Sequence, residues 1–182
     1  MRIATGILCA VGAFASGRAS AEIVEIHQRV FGMDCLPCSQ AVHATVSRIA
    51  GVVSVEVSMR RGGADIELAP GNTVSIAQLR AAIRKAGYEP KETRLRARGD
   101  LVVDHGELLL NLPGQAPLRL EATPRGGPLP CRPGKDVLVE GTIEAGKDEG
   151  PLLVEQGMCS AASAMDAQSG PDSGQSAPTR NH

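Results

Sequence analysis

Tryptophan is absent and the aromatic rings amount to Phe14, Phe31 and Tyr88, so the chain offers no set of platforms on which nucleobases, sugars or a flavin could stack. An excess of one charge is missing too. Lys and Arg number 19 against 20 Asp and Glu, a formal charge of −1, which leaves no basic field to hold a phosphate backbone. Nucleic acid is therefore not an expected partner. No apolar run reaches the roughly 18 residues that a membrane helix requires, so no membrane span is expected. The chain also has no Ser elbow, no H-E-x-x-H zinc pair and no Gly-rich phosphate loop. Thiol chemistry aside, it is not expected to be an enzyme.

What is present begins with a leader-like segment. Arg2 gives a positive start, Ile3 to Ser16 is a short apolar run, and Ala19-Ser20-Ala21 supplies the small residues that a signal peptidase reads. Residues 1–21 are expected to be a cleaved signal peptide, the alternative being a short buried N-terminal helix. Cys9 would leave with it, and Gly6-Ile7-Leu8 before that cysteine does not favour lipoprotein processing. Loss of Arg2 and Arg18 takes the formal charge from −1 to −3. The expected location is periplasmic or secreted.

Residues 22–93 read as alternating strands and helices. Val24, Ile26 and Val30 alternate with polar neighbours as in a half-buried strand, and Gly32 turns the chain. Cys38, Val42, Val46 and Ile49 follow at helical spacing, Pro37 suits a first helical position, and Gly51 stops the helix. Val53, Val55, Val57 and Met59, then Ala64, Ile66 and Leu68, form two alternating runs around Arg61-Gly62-Gly63, which is a hairpin pattern. A second helix opens on the capping box Ser75 to Gln78, carries the stripe Ile76, Leu79, Ile83 and Ala86, and closes at Gly87. A last strand runs from Tyr88 to about Thr93. The order β-α-β-β-α-β predicts an α+β, ferredoxin-like domain with both helices on one face of an antiparallel sheet. Residues 22–93 should fold on their own.

Beyond Arg94 the pattern changes to short strands broken by Gly and Pro: Leu101 to Val103, Leu108 to Leu112, Leu118 to Ala122, Val137 to Ile143 and Leu152 to Val154. Residues 94–157 are expected to form a small all-β domain, OB-like in outline, with a break at Gly141-Thr142. Residues 158–182, rich in Ser, Ala, Gly, Pro and Gln, read as a disordered tail.

Chemistry concentrates in Gly32-Met33-Asp34-Cys35-Leu36-Pro37-Cys38. Two thiols three residues apart, one on a loop and one in the first helical turn, can converge on a single ion, and the helix N-terminus favours the thiolate that binds metal. Two soft sulfurs select Cu(I) or another soft, low-coordinate ion, and fall short of the four ligands of structural zinc. The segment resembles the G-M-x-C-x-x-C motif of the heavy-metal-associated domain family over about residues 23–91. The resemblance implies a metal carrier with Cys35 and Cys38 as ligands, Cu(I) ahead of Hg(II) as cargo, and a donor or acceptor protein with its own dithiol site as partner. It further implies that Met33 anchors the loop from beneath. Lys85-Ala86-Gly87-Tyr88 resembles the family's segment after the second helix, which would make Tyr88 a shield beside the site.

Two other readings of the pair remain open. Cys-Leu-Pro-Cys also resembles a thioredoxin-type redox pair, which would make the chain an exported thiol-disulfide oxidoreductase, although no Trp flanks the motif and the order of elements differs. A purely structural disulfide is the third reading. Cys131 and Cys159 are expected to pair with each other, as thiols in an exported chain tend to do, with a second metal site as the lesser alternative. Met158, Cys159 and Met165 are candidate auxiliary soft ligands. His27, His43 and His105 are isolated and read as surface or satisfied polar positions.

Overall fold

The computed structural model describes residues 21–112, 114–124, 127–129, 131–148, 150–155 and 159–161. The expected leader, apart from Ala21, lies outside these residues, as do Met158, Met165 and all of the expected tail but Cys159 to Ala161. The elements run β1 (Glu22–Phe31), α1 (Leu36–Val46), β2 (Val52–Ser58), β3 (Gly63–Leu68), α2 (Ile76–Lys85), β4 (Glu89–Asp104), β5 (Glu107–Asn111), β6 (Leu118–Ala122), β7 (Gly134–Ile143), β8 (Leu152–Val154) and β9 (Cys159–Ala161).

The first part is the ferredoxin-like α+β arrangement, with strand order β2-β3-β1-β4 and antiparallel pairing throughout. Its core is lined by Ile23, Ile26 and Val30 of β1, Val42 and Val46 of α1, Ala64 and Ile66 of β3, and Leu79 and Ile83 of α2. Two bulges shift which residues face inward. A register shift between Ile23 and Glu25 places Ile23 in the core where strict alternation points to Val24. Another between Val52 and Ser54 turns Val53 out to solvent, 65% exposed, so the inward set of β2 is Val52, Val55 and Val57. Met59, expected on that inward stripe, lies past the strand end and is exposed.

The expected boundary at residues 93/94 falls inside β4, a single strand of 16 residues. Its first half pairs with β1 as far as Arg98, while its other edge pairs with β7 from Thr93 to Leu101 and its end with β5. In the ferredoxin-like order β4 is an edge strand, and here β7 covers that edge, satisfying the backbone groups that an edge leaves open. The Leu101 to Val103 strand is thus the far end of β4.

An all-β region does follow. Pairings run β4-β5-β6-β8-β7 and return to β4, so five strands close into a ring, with β6 and β8 parallel and β9 added beside β7. Leu101, Leu110, Leu120, Val139, Ile143, Leu152 and Val154 fill it and are continuous with the first core. The break expected at Gly141 is absent. β7 runs through it, and glycine is required because a Cβ there would meet Leu152 Cγ and the Leu153 carbonyl at 2.7 Å.

Candidate metal centre

Gly32, at φ +88°, lets the chain leave β1 and reverse toward α1. Met33 then drops into the core at 3% exposure and fixes the loop from beneath, while Asp34 and Cys35 stay in solvent. Cys35 is the N-cap of α1. Its backbone is extended and its Sγ accepts the Cys38 N–H at 3.2 Å, a position where Ser or Asp would ordinarily stand. Pro37 occupies the first turn, where no N–H is needed, and Ser39 N–H donates to the Cys35 carbonyl at 3.1 Å. Cys38 is half-buried on the stripe that continues through Val42 and Val46.

The two cysteines therefore converge, with Cα atoms 5.0 Å apart, and they are joined as a disulfide. In that state the sulfurs hold no charge for a cation. Two electrons and two protons convert the bond into two thiols, and the positive end of α1 then favours their ionised forms. Among the described residues no cluster of three or more His, Cys, Asp or Glu side chains could hold a metal. A reduced Cys35–Cys38 pair thus offers two soft sulfur donors and an open side.

Tyr88 lies at the same end of the unit. Gly87, at φ +91°, caps α2 with its N–H on the Arg84 carbonyl, and Tyr88 N–H donates to the Ile83 carbonyl at 3.2 Å. The chain then enters β4 at Glu89, which pairs with Phe31 next to the cysteine loop. The Tyr88 ring is half-buried against the core. Phe31 at the end of β1 and Leu36 between the two cysteines are large exposed apolar side chains, 66% and 61% exposed. Neither was singled out by the sequence pattern, which marks apolar residues as core.

The three histidines among the described residues do not gather with the cysteines. His27 pairs with Asp65 across β1 and β3, Asp65 also accepts from Arg61 at 2.6 Å, His43 is exposed on α1, and His105 sits in the β4–β5 turn. Cys131 and Cys159 are also disulfide-bonded, with Cα atoms 5.3 Å apart, at the β7–β9 side of the ring.

The heavy-metal-associated domain profile matches residues 28–89. The copper chaperone CopZ of Staphylococcus haemolyticus (strain JCSC1435) is 34% identical over 62 residues, which make up 34% of this chain and 90% of that protein. Among solved structures, the CopZ metallochaperone is 29% identical, covering 36% of this chain and 97% of its own, with a TM-score of 0.34. Oxidized MerP from Ralstonia metallidurans CH34 is 27% identical, covering 39% of this chain and 94% of its own, also at TM-score 0.34.

Proposed function

We propose, since the chain belongs to the heavy-metal-associated domain family through residues 28–89, that it binds a soft metal ion through Cys35 and Cys38 and passes it to a partner protein. Cu(I) is the first candidate for the cargo and Hg(II) the second. The observation that carries this reading is the placement of the two cysteines: one caps α1, the other sits in its first turn, and no third ligand type joins them among the described residues. Under-coordination is what lets cargo leave. A partner's thiolates can replace Cys35 and Cys38 one sulfur at a time, without the free ion entering water.

Export to a periplasmic or secreted location belongs to the same reading and is supported by the leader-like pattern of residues 1–21. In such a compartment a dithiol reductant has to open the Cys35–Cys38 bond before loading. We further infer an OB-like outline for the five-strand ring, supported by its strand number and closed pairing.

The test is competition binding of Cu(I), Hg(II) and Zn(II) on the reduced Cys131→Ser/Cys159→Ser chain. One tightly held equivalent of Cu(I) or Hg(II), far weaker Zn(II), and loss of that equivalent on adding Cys35→Ser and Cys38→Ser are expected. Equal affinity for all three ions would overturn the two-thiolate assignment. The Cys35–Cys38 disulfide, with Pro37 before the second cysteine, favours thiol-disulfide oxidoreductase activity as a second reading. Catalytic turnover of a disulfide substrate by the metal-free chain would select it.

A further inference from the structure

We propose that Cys131 and Cys159, once reduced, form a second dithiolate site for a soft d10 ion such as Cu(I) or Hg(II), carried by the β-ring and separate from Cys35 and Cys38. Their Cα atoms are 5.3 Å apart, close to the 5.0 Å of the first pair. Contacts other than the bond between them also tie both positions to the scaffold. Cys131 is 7% exposed and packs in the core, while Cys159 is fixed by the pairing of β9 with Val137 to Val139 of β7.

The surroundings suit an anionic metal complex. A hollow of about 320 Å³ opens beside Cys159, lined by Arg132, Lys135, Gly134, Val137 and Ser160 among others, and none of its lining residues is acidic. A monovalent ion between two thiolates carries a net charge of −1, and the hollow on the Cys159 side presents the exposed cations Arg132 and Lys135 to such a complex. With no third His, Cys, Asp or Glu gathered there among the described residues, the donor set again selects a soft ion of low coordination number over zinc.

The two sites do not share an ion. Cys159 pairs with Val139, which pairs with Ala97, whereas the first loop lies beside Glu89 at the start of β4. Eight residues of strand separate these levels, roughly 26 Å at about 3.3 Å per residue. Loading begins when a dithiol reductant gives two electrons and two protons to the Cys131–Cys159 bond and becomes a disulfide itself. The ion then replaces the two thiol protons, which pass to solvent. The second site does not require Cys35 and Cys38 to bind metal, and its residues lie outside the stretch 28–89 that the family profile matches.

The experiment is an anaerobic titration of the reduced full chain with Cu(I) presented by the chelator bicinchoninate, so that only a bidentate site competes. Two equivalents are expected for the unaltered chain, and one each for Cys35→Ser/Cys38→Ser and Cys131→Ser/Cys159→Ser. Adding Cys131→Ser to the Cys35→Ser/Cys38→Ser chain should remove the remaining equivalent, which excludes a lone thiol as the binder. Amide spectra of the reduced Cys35→Ser/Cys38→Ser chain report whether the ring stays folded without its disulfide. If that chain takes up no Cu(I), or loses its β7–β9 amide pattern on reduction, the proposal is overturned. If it takes up one equivalent while Cys131→Ser/Cys159→Ser takes none, the second site stands and the Cys35–Cys38 reading falls.

Discussion

Arg80 is the largest fully buried side chain among the described residues, and it points from the middle of α2 into the junction between the ferredoxin-like layer and the ring. Its guanidinium donates to Thr93 Oγ1 and to the carbonyls of Lys91, Ile143, Glu144 and Lys147 at 2.8–3.2 Å. Thr93 in turn donates to Gln28 Oε1 at 2.7 Å, so β1, β4, α2 and the β7–β8 loop meet at one cation. Burial pulls the Arg80 pKa down and Asp148 opposes that shift. Replacing Arg80 by Met leaves these acceptors without their donor, and denaturant unfolding is expected to show a loss of about 3–5 kcal/mol. The α2 stripe of Ile76, Leu79 and Ile83 was readable from its spacing, but an Arg next to Leu79 reads as surface until the partner carbonyls are known. Asp148 adds a pH term. Its hydrogen bond from Arg84 holds the carboxyl below the usual carboxylate range. A depressed folded pKa means the contribution is complete above the unfolded value near ~3.9 and is lost as pH falls through the folded one. Acid unfolding of Asp148→Asn should therefore be flatter below about pH 4 than that of the unaltered chain, and equal slopes would remove Asp148 from the account.

At the scale of elements, β4 decides how the molecule can be divided. A chain ending at Thr93 lacks Leu95 to Arg98, the partners of β1 from Glu22 to Ile26, and it exposes the edge that β7 covers. It also removes the Ile143, Glu144 and Lys147 carbonyls from Arg80. Such a chain is expected to give poorly dispersed amide spectra where the full chain gives sharp ones, and a well-folded fragment would contradict the dependence of β1 on the second half of β4. The helices were legible because their signals are local: Ser75 accepts the Gln78 N–H at 3.1 Å, as the capping box requires, and Pro37 stands in the first turn of α1. The cysteine loop was legible for the same reason. The length of β4 was not, because its Arg94, Arg96 and Arg98 are paired across the sheet or exposed and mark no boundary in either direction. Bulges in β1 and β2 were equally hidden, since a one-residue slip leaves composition unchanged while reversing which side chains are buried.

On the scale of the whole molecule, oxidation state bears on stability and, on the proposed reading, on capacity for cargo. The Cys131–Cys159 bond spans a sequence separation of 28 and ties the strand beside β7 to the segment that leads into it. Loop-closure entropy assigns a bridge of that span about 3–4 kcal/mol, by restricting the unfolded chain. The Cys35–Cys38 bond spans only 3 residues, within one loop and helix start, so opening it frees less of the unfolded ensemble. Reduction is therefore expected to lower the unfolding free energy of the Cys35→Ser/Cys38→Ser chain by about 3–4 kcal/mol, and that of the Cys131→Ser/Cys159→Ser chain by about half as much. On the proposed reading Cu(I) binds the folded state of either reduced chain, so the unfolding free energy should rise with free ion by RT ln(1 + [ion]/Kd). Chemical denaturation at several Cu(I) concentrations measures both effects together. If reduction costs the two chains the same, the ring disulfide is not the one that restricts the unfolded chain.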